Sequence, residues 1–488
     1  MGKRLFGLLI IALPCMAIAQ AQDKWDLRRC VEYAVKNNIS VRQADVQSRI
    51  AALQLRQAKM NKIPSIGFGS TLGTQFGRSI DPNTNQFTTT QLLYQNLGLQ
   101  GDVQIFGFGQ LKTAVKAAQF NAEAALKDID RVANDISINV ATYYLQVLAA
   151  KEQINIAEVQ IGQDLSQMKD TKSRVDAGAL PELNLAEIES QLATDSANLI
   201  TARATFQQNV LSLKGLLNID AGAPFELDTP PIDEIPLESM ADLQPDVVFQ
   251  LAQTNQPLLK VNSLKISGAE NTIRSNKALL YPRLSAGYNL NSQFSNALRQ
   301  IDPASVNLTG YRLAEGTVAR VNGTDYEIYN ATATYQYQGK SFNQWWSRYG
   351  SQLNENFRQS VGITLSVPIL STGNTNRINY EQSKLSLRNL QLQQDQATLD
   401  LKQNIYKAHI DATSAMQKFY AGQRSVASAQ KAYDFAFKRY QVGLLSSIDL
   451  LTNQNNLLKA KLQQLTNQYE YVFRMKLLEF YKGQGMKL

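Results

Sequence analysis

Histidine, cysteine and proline are scarce in this chain, and each shortage excludes something. A single histidine, His409, stands among 488 residues. It lies in the helical run IYKAHIDATS with no second histidine or cysteine near it. Triads built on histidine and zinc sites of the usual ligand types are thereby set aside. Of the two cysteines, Cys15 lies in the N-terminal leader described below, which leaves Cys30 without an intramolecular disulfide partner. Cys30 falls at an apolar helical spacing in LRRCVEYAVKNN and reads as a small buried hydrophobe. No glycine-rich phosphate loop is present, since FGFGQ at 106–110 has the wrong spacing and context. No catalytic residue, cofactor or metal site is expected. A chain so poor in reactive groups suits a conduit, a scaffold or a binding role.

Clustered charge is also missing. The formal net charge is +8, with lysine and arginine dispersed and no basic patch interleaved with aromatics, which argues against nucleic-acid binding. The opening MGKRLFGLLIIALPCMAIAQAQ has a basic start, a short apolar run and a small-x-small site at Ala17–Ala19. That pattern is a secretory signal peptide, expected over residues 1–19. Cys15 follows Pro14, a poor context for lipid attachment. Removing Lys3 and Arg4 leaves 47 basic residues against 41 acidic ones, a net of +6. The chain is expected to be exported.

What is present is a duplication. NKIPSIGFGS pairs Pro64 with Pro282 of ALLYPRLSAGYN, and LGLQGDVQIFGFG pairs Gly98 and Gly109 with Gly362 and Gly373 of VGITLSVPILSTG. KSRVDAGALPELNLA and FKRYQVGLLSSIDLL pair Arg174 with Arg439 and Gly178 with Gly443. Each half reads as short helices, strand, loop, strand, long helix, break and returning helix. DTPPIDEIP (228–236) joins the halves, and the second half carries an insertion of about 46 residues between its strands.

Four segments alternate with period two: 66–76, 97–105, 284–294 and 361–369. Their polar faces hold Gly, Gln, Ser and Asn with little charge, and each is long enough for a tilted membrane strand. Four strands cannot close a membrane barrel, because an open edge leaves backbone groups unsatisfied in hydrocarbon. Either the strands lie outside a membrane or several chains donate them. Leu111–Asp176 and Asn376–Gln441 contain no proline, and each such run spans about 100 Å as a helix. The returning segment carries a heptad seam: Ile448, Leu451, Asn455, Leu458, Leu462, Leu465, Tyr469 and Val472. Its counterpart is Leu183, Ala186, Ser190, Ala193, Ala197, Ile200 and Ala204, with a second stripe at Leu185, Ile188, Leu192, Leu199, Ala202 and Phe206. Two stripes suit a helix packed between two neighbours; an ordinary two-stranded coiled coil is the alternative.

These residues together resemble the TolC-like outer-membrane efflux proteins. The resemblance covers essentially the whole mature chain: WDLRRCVEYAVKNN after the leader, QAKMNKIPS before the first strand, and the duplicated strand–strand–helix–VGL–helix unit. It implies a mixed α and β membrane protein, a homotrimer in which each chain gives four strands to a twelve-stranded outer-membrane barrel. Coiled-coil-like helices would continue it as a periplasmic α-helical barrel. It further implies a periplasmic adaptor and an inner-membrane pump as partners, outer-membrane lipid around the strands, and an exit duct for efflux or type I secretion.

The expected divisions are N-terminal periplasmic helices at 20–62, a first β-hairpin at 63–106 and a first helical hairpin at 107–220. A linker with equatorial helices follows at 221–280, then a second β-hairpin with a long extracellular loop at 281–371. A second helical hairpin and C-terminal segment take 372–488. By resemblance, Val442, Gly443 and Leu444 occupy the adaptor-contact position, with Ala177, Gly178 and Ala179 as first-repeat counterparts. Asp449 falls at the family's gate aspartate, Thr452 stands where a second acidic residue is found in the best-known member, and Asn184 is the first-repeat equivalent. Asp449 reads equally as a helix-start cap. Trp345 and Trp346 would anchor the insertion at the membrane interface or pack it. A periplasmic coiled-coil scaffold that does not span the membrane remains the alternative function.

Overall fold

A computed structural model describes residues 24–80, 87–88, 92–228, 235–296, 303–335, 342–346 and 348–483. The leader at 1–19 and most of the joining segment at 228–236 lie outside them.

The chain begins with α1 (Leu27–Asn37) and α2 (Ile39–Met60), then β1 (Ser65–Gln75), the short β2 (Ser79–Ile80) and β3 (Phe87–Thr88), and β4 (Leu92–Phe106). Two long helices follow, α3 (Gln110–Asp176) and α4 (Glu182–Leu217). The second repeat has α5 (Pro245–Asn255), α6 (Pro257–Ala278) and β5 (Arg283–Ser295). Within the insertion come β6 (Asn307–Val321), β7 (Thr324–Thr334), α7 (Phe342–Trp345) and α8 (Tyr349–Glu355). β8 (Arg358–Ser366), α9 (Ser371–Gln441) and α10 (Ser447–Lys482) complete it. The chain divides into two compact units, one of residues 1–54, 117–270 and 385–488 and one of residues 55–116 and 271–384.

The second unit holds a four-stranded antiparallel sheet in the order β1-β4-β5-β8. Its register sorts residues by polarity. One row across all four strands is Ile66, Gly101, Tyr288 and Val361, and another is Phe68, Leu99, Leu290 and Gln359. The alternate rows are Gly67, Gln100, Asn289 and Ser360, and Gly69, Gly98, Asn291 and Arg358. Cα partners project to the same face, so one face is apolar and the other polar. Ile66, Phe68, Val361, Ile363 and Leu365 are all exposed. The outer edges of β1 and β8 have no partner strand among the described residues.

The expected strand at 361–369 ends at Ser366 because Pro368 cannot donate to a ladder. Gly109 and Gly373, paired by sequence, differ in conformation. Gly109 has φ +80° just before α3, whereas Gly373 lies inside α9, which starts two residues earlier.

The insertion, read as a loop, contains the antiparallel β6–β7 hairpin. Its turn is Asn322–Gly323, both with positive φ (49° and 85°). Asn-Gly between alternating segments is the strongest short-range hairpin signal, and it stands in this sequence. Trp346 packs inward, stacking on the fully buried Phe294 at 5.5 Å between centroids, with Tyr349 edge-on to Phe294 at 5.0 Å. The side chain of Trp345 is outside the description. Phe294→Ala should cost about 3–5 kcal/mol through lost contacts and the cavity left behind, visible as a lower thermal midpoint of the detergent-purified protein.

In the first unit the short helices pack on the long ones. Leu27, Cys30 and Ala34 of α1 bury against Val140, Tyr144 and Leu148 of α3 and Leu213 and Leu217 of α4. In the second repeat Val248 and Ala252 of α5 bury against Ile405, Ala408 and Ala412 of α9 and Met475 and Leu478 of α10. Burial pushes the Cys30 thiol up to about 12, so this cysteine is a packed hydrophobe without reactivity. No helix among the described residues is long and apolar enough to cross a membrane.

The buried stripe on α10 differs from the heptad seam. Near its start the buried residues are Leu450, Gln454 and Leu457, each one position before Leu451, Asn455 and Leu458. Further along, the stripe reaches Leu465 and Val472, which do belong to the seam. A straight helix has 3.6 residues per turn, so its buried line drifts by about 20° per heptad against a strict repeat of seven. On α4 the seam from Leu183 to Ala204 is exposed throughout, while Ile188 on the second stripe is buried.

Candidate functional site

The two helix breaks lie in the first unit and share one backbone construction. α3 ends with Gly178 N–H donating to Val175 O (2.8 Å) and Ala179 N–H to Arg174 O (2.8 Å). α9 ends with Gly443 N–H donating to Tyr440 O (3.0 Å) and Leu444 N–H to Arg439 O (2.9 Å). Both are Schellman caps, which place the residue after the C-cap in the left-handed region. Gly178 and Gly443 have φ of 73° and 78° there. An added Cβ would meet nothing within 4 Å at either position, so backbone conformation, not crowding, explains glycine here.

Five residues separate the helices at each break, 177–181 and 442–446. α4 starts at Glu182 after Pro181, which supplies no side-chain cap. α10 starts at Ser447 after Ser446, whose hydroxyl accepts from Asp449 N–H at 3.2 Å. The same hydroxyl donates to Asp449 Oδ2 at 2.7 Å. Ser446 is therefore the N-cap residue, and Asp449 supports it from the third helical position, a role that sequence reading gave to Asp449 alone. Ser446→Ala should destabilise the start of α10 by about 1 kcal/mol, measurable as faster amide exchange over residues 447–452. Asn184 holds the same third position in α4, with its N–H on Pro181 O at 3.1 Å. Thr452 turns its hydroxyl back to Ile448 O at 2.8 Å. Asp449 and Thr452, three apart, share one exposed face of α10.

The tips present apolar side chains to solvent. Val442 is 69% and Leu444 70% exposed, and at the other tip Ala177, Gly178 and Ala179 are exposed as well. Behind the tips the two hairpins are joined by polar contacts between residues far apart in sequence. Thr171 Oγ1 lies 3.1 Å from Tyr440 OH in a buried pair. Arg174 Nη1 donates to Gln441 O at 3.2 Å, and Ser447 Oγ to Glu187 Oε2 at 2.6 Å. Tyr440 also packs with Ala436 and Leu450, against Tyr433, Phe437 and Leu445. Arg174 belongs to the duplicated break motif, whereas Thr171, Tyr440 and Glu187 carry no local signal.

A second polar cluster lies farther up the same helices. Gln160 and Gln454 both donate to Asp164 Oδ1, at 3.0 and 2.5 Å. Gln191 donates to Asp195 Oδ2 at 2.9 Å, and Gln191 and Asn455 exchange two amide hydrogen bonds at 3.1 and 3.2 Å. Asp164 and Asp195 are 1% and 2% exposed. Among the described residues no cluster of three or more metal-type ligands occurs.

The chain is thus duplicated, with a half-apolar antiparallel sheet and glycine-capped helical hairpins. Its sequence matches the outer membrane efflux protein family over residues 31–218 and 329–481, and the chain belongs to that family. The outer membrane efflux protein BepC of Brucella suis is 19% identical over 477 residues, 96% of this chain and 88% of that protein. TolC of Escherichia coli is 21% identical over 468 residues, 95% of this chain and 83% of that one. The pyoverdine export outer membrane protein OpmQ of Pseudomonas putida is 23% identical over 322 residues, and this chain spans 64% of its length. Among solved structures, CusC shares the fold with a TM-score of 0.72 at 17% identity, over 94% of this chain and 92% of that one. VceC from Vibrio cholerae gives 0.70 at 14%, over 94% and 97%. The family is one of outer membrane efflux channels and not of enzymes.

Proposed function

We propose that three copies of this chain each contribute β1, β4, β5 and β8 to a twelve-stranded barrel in the outer membrane. The long helices of the three copies would extend it as a periplasmic duct for efflux or type I secretion. The observation that carries this reading is the sheet: mainly apolar rows on one face, rows of glycine and polar residues with little charge on the other, and two edges without partner strands among the described residues. In hydrocarbon such edges are satisfied only by closure with strands from other copies. The exposed seam of α4 supports the same oligomer, since it offers an apolar stripe that the chain itself leaves uncovered.

Transport through the duct is passive on this reading, with energy supplied by an inner-membrane pump. The exposed tips, Val442–Gly443–Leu444 and Ala177–Gly178–Ala179, dock a periplasmic adaptor. Asp449, Thr452 and Asn184 narrow the closed end, and opening moves the hairpins apart by breaking contacts such as Thr171–Tyr440 and Arg174–Gln441. Thr452 at the second gate position means one acidic ring instead of two.

The test is cross-linking combined with carbonate extraction of envelope membranes. Trimers that stay in the outer-membrane fraction and need detergent for release are expected. Monomers released by carbonate would support a periplasmic coiled-coil scaffold and overturn the duct.

A further inference from the structure

Buried carboxylates ordinarily sit beside a cation, and Asp164 and Asp195 do not. Among the described residues neither forms an ion pair with lysine or arginine. The polar groups from α3 and α10 that bond Asp164 are the neutral amides of Gln160 and Gln454. The ionisable groups acting on it are Asp195 of α4 and, from α9, the phenol of Tyr433. Asp195 acts on Asp164 through hydrogen bonding and charge, and Asp164 Oδ2 is buried with no donor among the described residues. Two ionised carboxylates held together this way would repel each other in a medium that screens them poorly. A hydrogen bond between them needs a proton on one.

We propose that Asp164 holds a proton at neutral pH and donates it in a hydrogen bond to the Asp195 carboxylate, and that this bond latches α3 and α4 of the first hairpin to α10 of the second. The acid form donates its O–H to the facing carboxylate. Gln454 on α10 and the Gln191–Asn455 pair then tie that carboxyl pair across to the second hairpin. Deprotonation releases the proton to water and leaves two carboxylates face to face. A cavity of about 320 Å³ lined by Gln160, Asp195, Asn198 and Thr201 adjoins the pair and gives the proton a route. Burial, first, and the Asp195 hydrogen bond and charge, next, raise the Asp164 carboxyl to about 7. A carboxyl raised in the folded state adds stability that is complete below the ordinary carboxylate range. That stability is lost as the pH rises through neutrality. The latch concerns packing within one chain, so it stands whether or not the tips form a gate.

The experiment uses the full-length protein in detergent, with Asp164→Asn and Asp195→Asn. Each amide keeps the shape and can donate to the remaining carboxylate at any pH. Infrared spectra of the wild type should show the C=O stretch of a buried carboxylic acid near neutrality. It should vanish at alkaline pH and be missing from both variants. The thermal midpoint of the wild type should fall between about pH 5.5 and about pH 8.5, and by clearly less in either variant. If a variant does not fold, the wild-type band decides alone. Absence of that band, an equal pH response in all three proteins, or a midpoint governed by added calcium or EDTA instead of pH would overturn the proposal.

Discussion

Gly443→Trp is expected to leave the proposed trimer and its outer-membrane insertion intact while reducing export severalfold. The substitution acts in two ways that can be separated. Gly443 has φ +78°, and forcing an ordinary side chain into the left-handed region costs about 1–2 kcal/mol. That is a small penalty for a helix end anchored by Tyr440 and Leu450, both buried. Since a Cβ there would meet nothing within 4 Å, the indole would project from the tip between Val442 and Leu444, where the adaptor is proposed to dock. Gly443→Asn is the control, because asparagine tolerates positive φ with little bulk. Dye or drug efflux from cells carrying each variant is the measurement. Strong loss with tryptophan and near-normal export with asparagine places the effect in docking. Equal loss in both assigns it to backbone strain, and normal export with tryptophan removes the docking role.

The second large effect concerns the sheet. Val361→Arg should deplete the protein from the outer membrane, whereas Ser360→Arg next to it should leave the level near normal. Val361 is on the row with Ile66, Gly101 and Tyr288, and Ser360 on the row with Gly67, Gln100 and Asn289. Arginine on a lipid face near the bilayer midplane costs about 2–4 kcal/mol per chain, while a residue facing the lumen stays in water. Three copies in one barrel would multiply the first cost and not the second. Immunoblots of outer-membrane fractions, with and without heating, read both the amount and the assembly. Equal levels of the two variants would contradict the assignment of faces.

Much of this was legible in the sequence because it depends on neighbours along the chain. Period-two alternation marked all four sheet strands, and the pairing of Gly178 with Gly443 pointed to helix breaks that the structure builds with the same pair of backbone bonds. The β6–β7 hairpin was equally local and carried its signal at Asn322–Gly323. Aligning the two halves marks that segment only as an insertion, because it has no counterpart in the first half. Other features had no local mark. Ser446 caps α10 with Asp449 in support, a division of labour that spacing alone leaves open because serine and aspartate can each take either part.

The sequence by itself determined the elements, their duplication, the turn geometry and the two-faced strands, since side-chain direction repeats every two residues in a strand and about every 3.6 in a helix. The tertiary structure alone decided which stripe of each helix is buried. The heptad at Ile448–Val472 was visible, but a nearly straight helix moves its buried line across that seam, so Leu450 and Gln454 take the inside near the tip. It also decided which polar groups meet. Gln454 reaches Asp164 across 290 positions and Tyr440 reaches Thr171 across 269. Such pairings arise from the relative rotation of long helices, which no local pattern encodes, and they set both the contacts behind the tips and the place where a proton can be held.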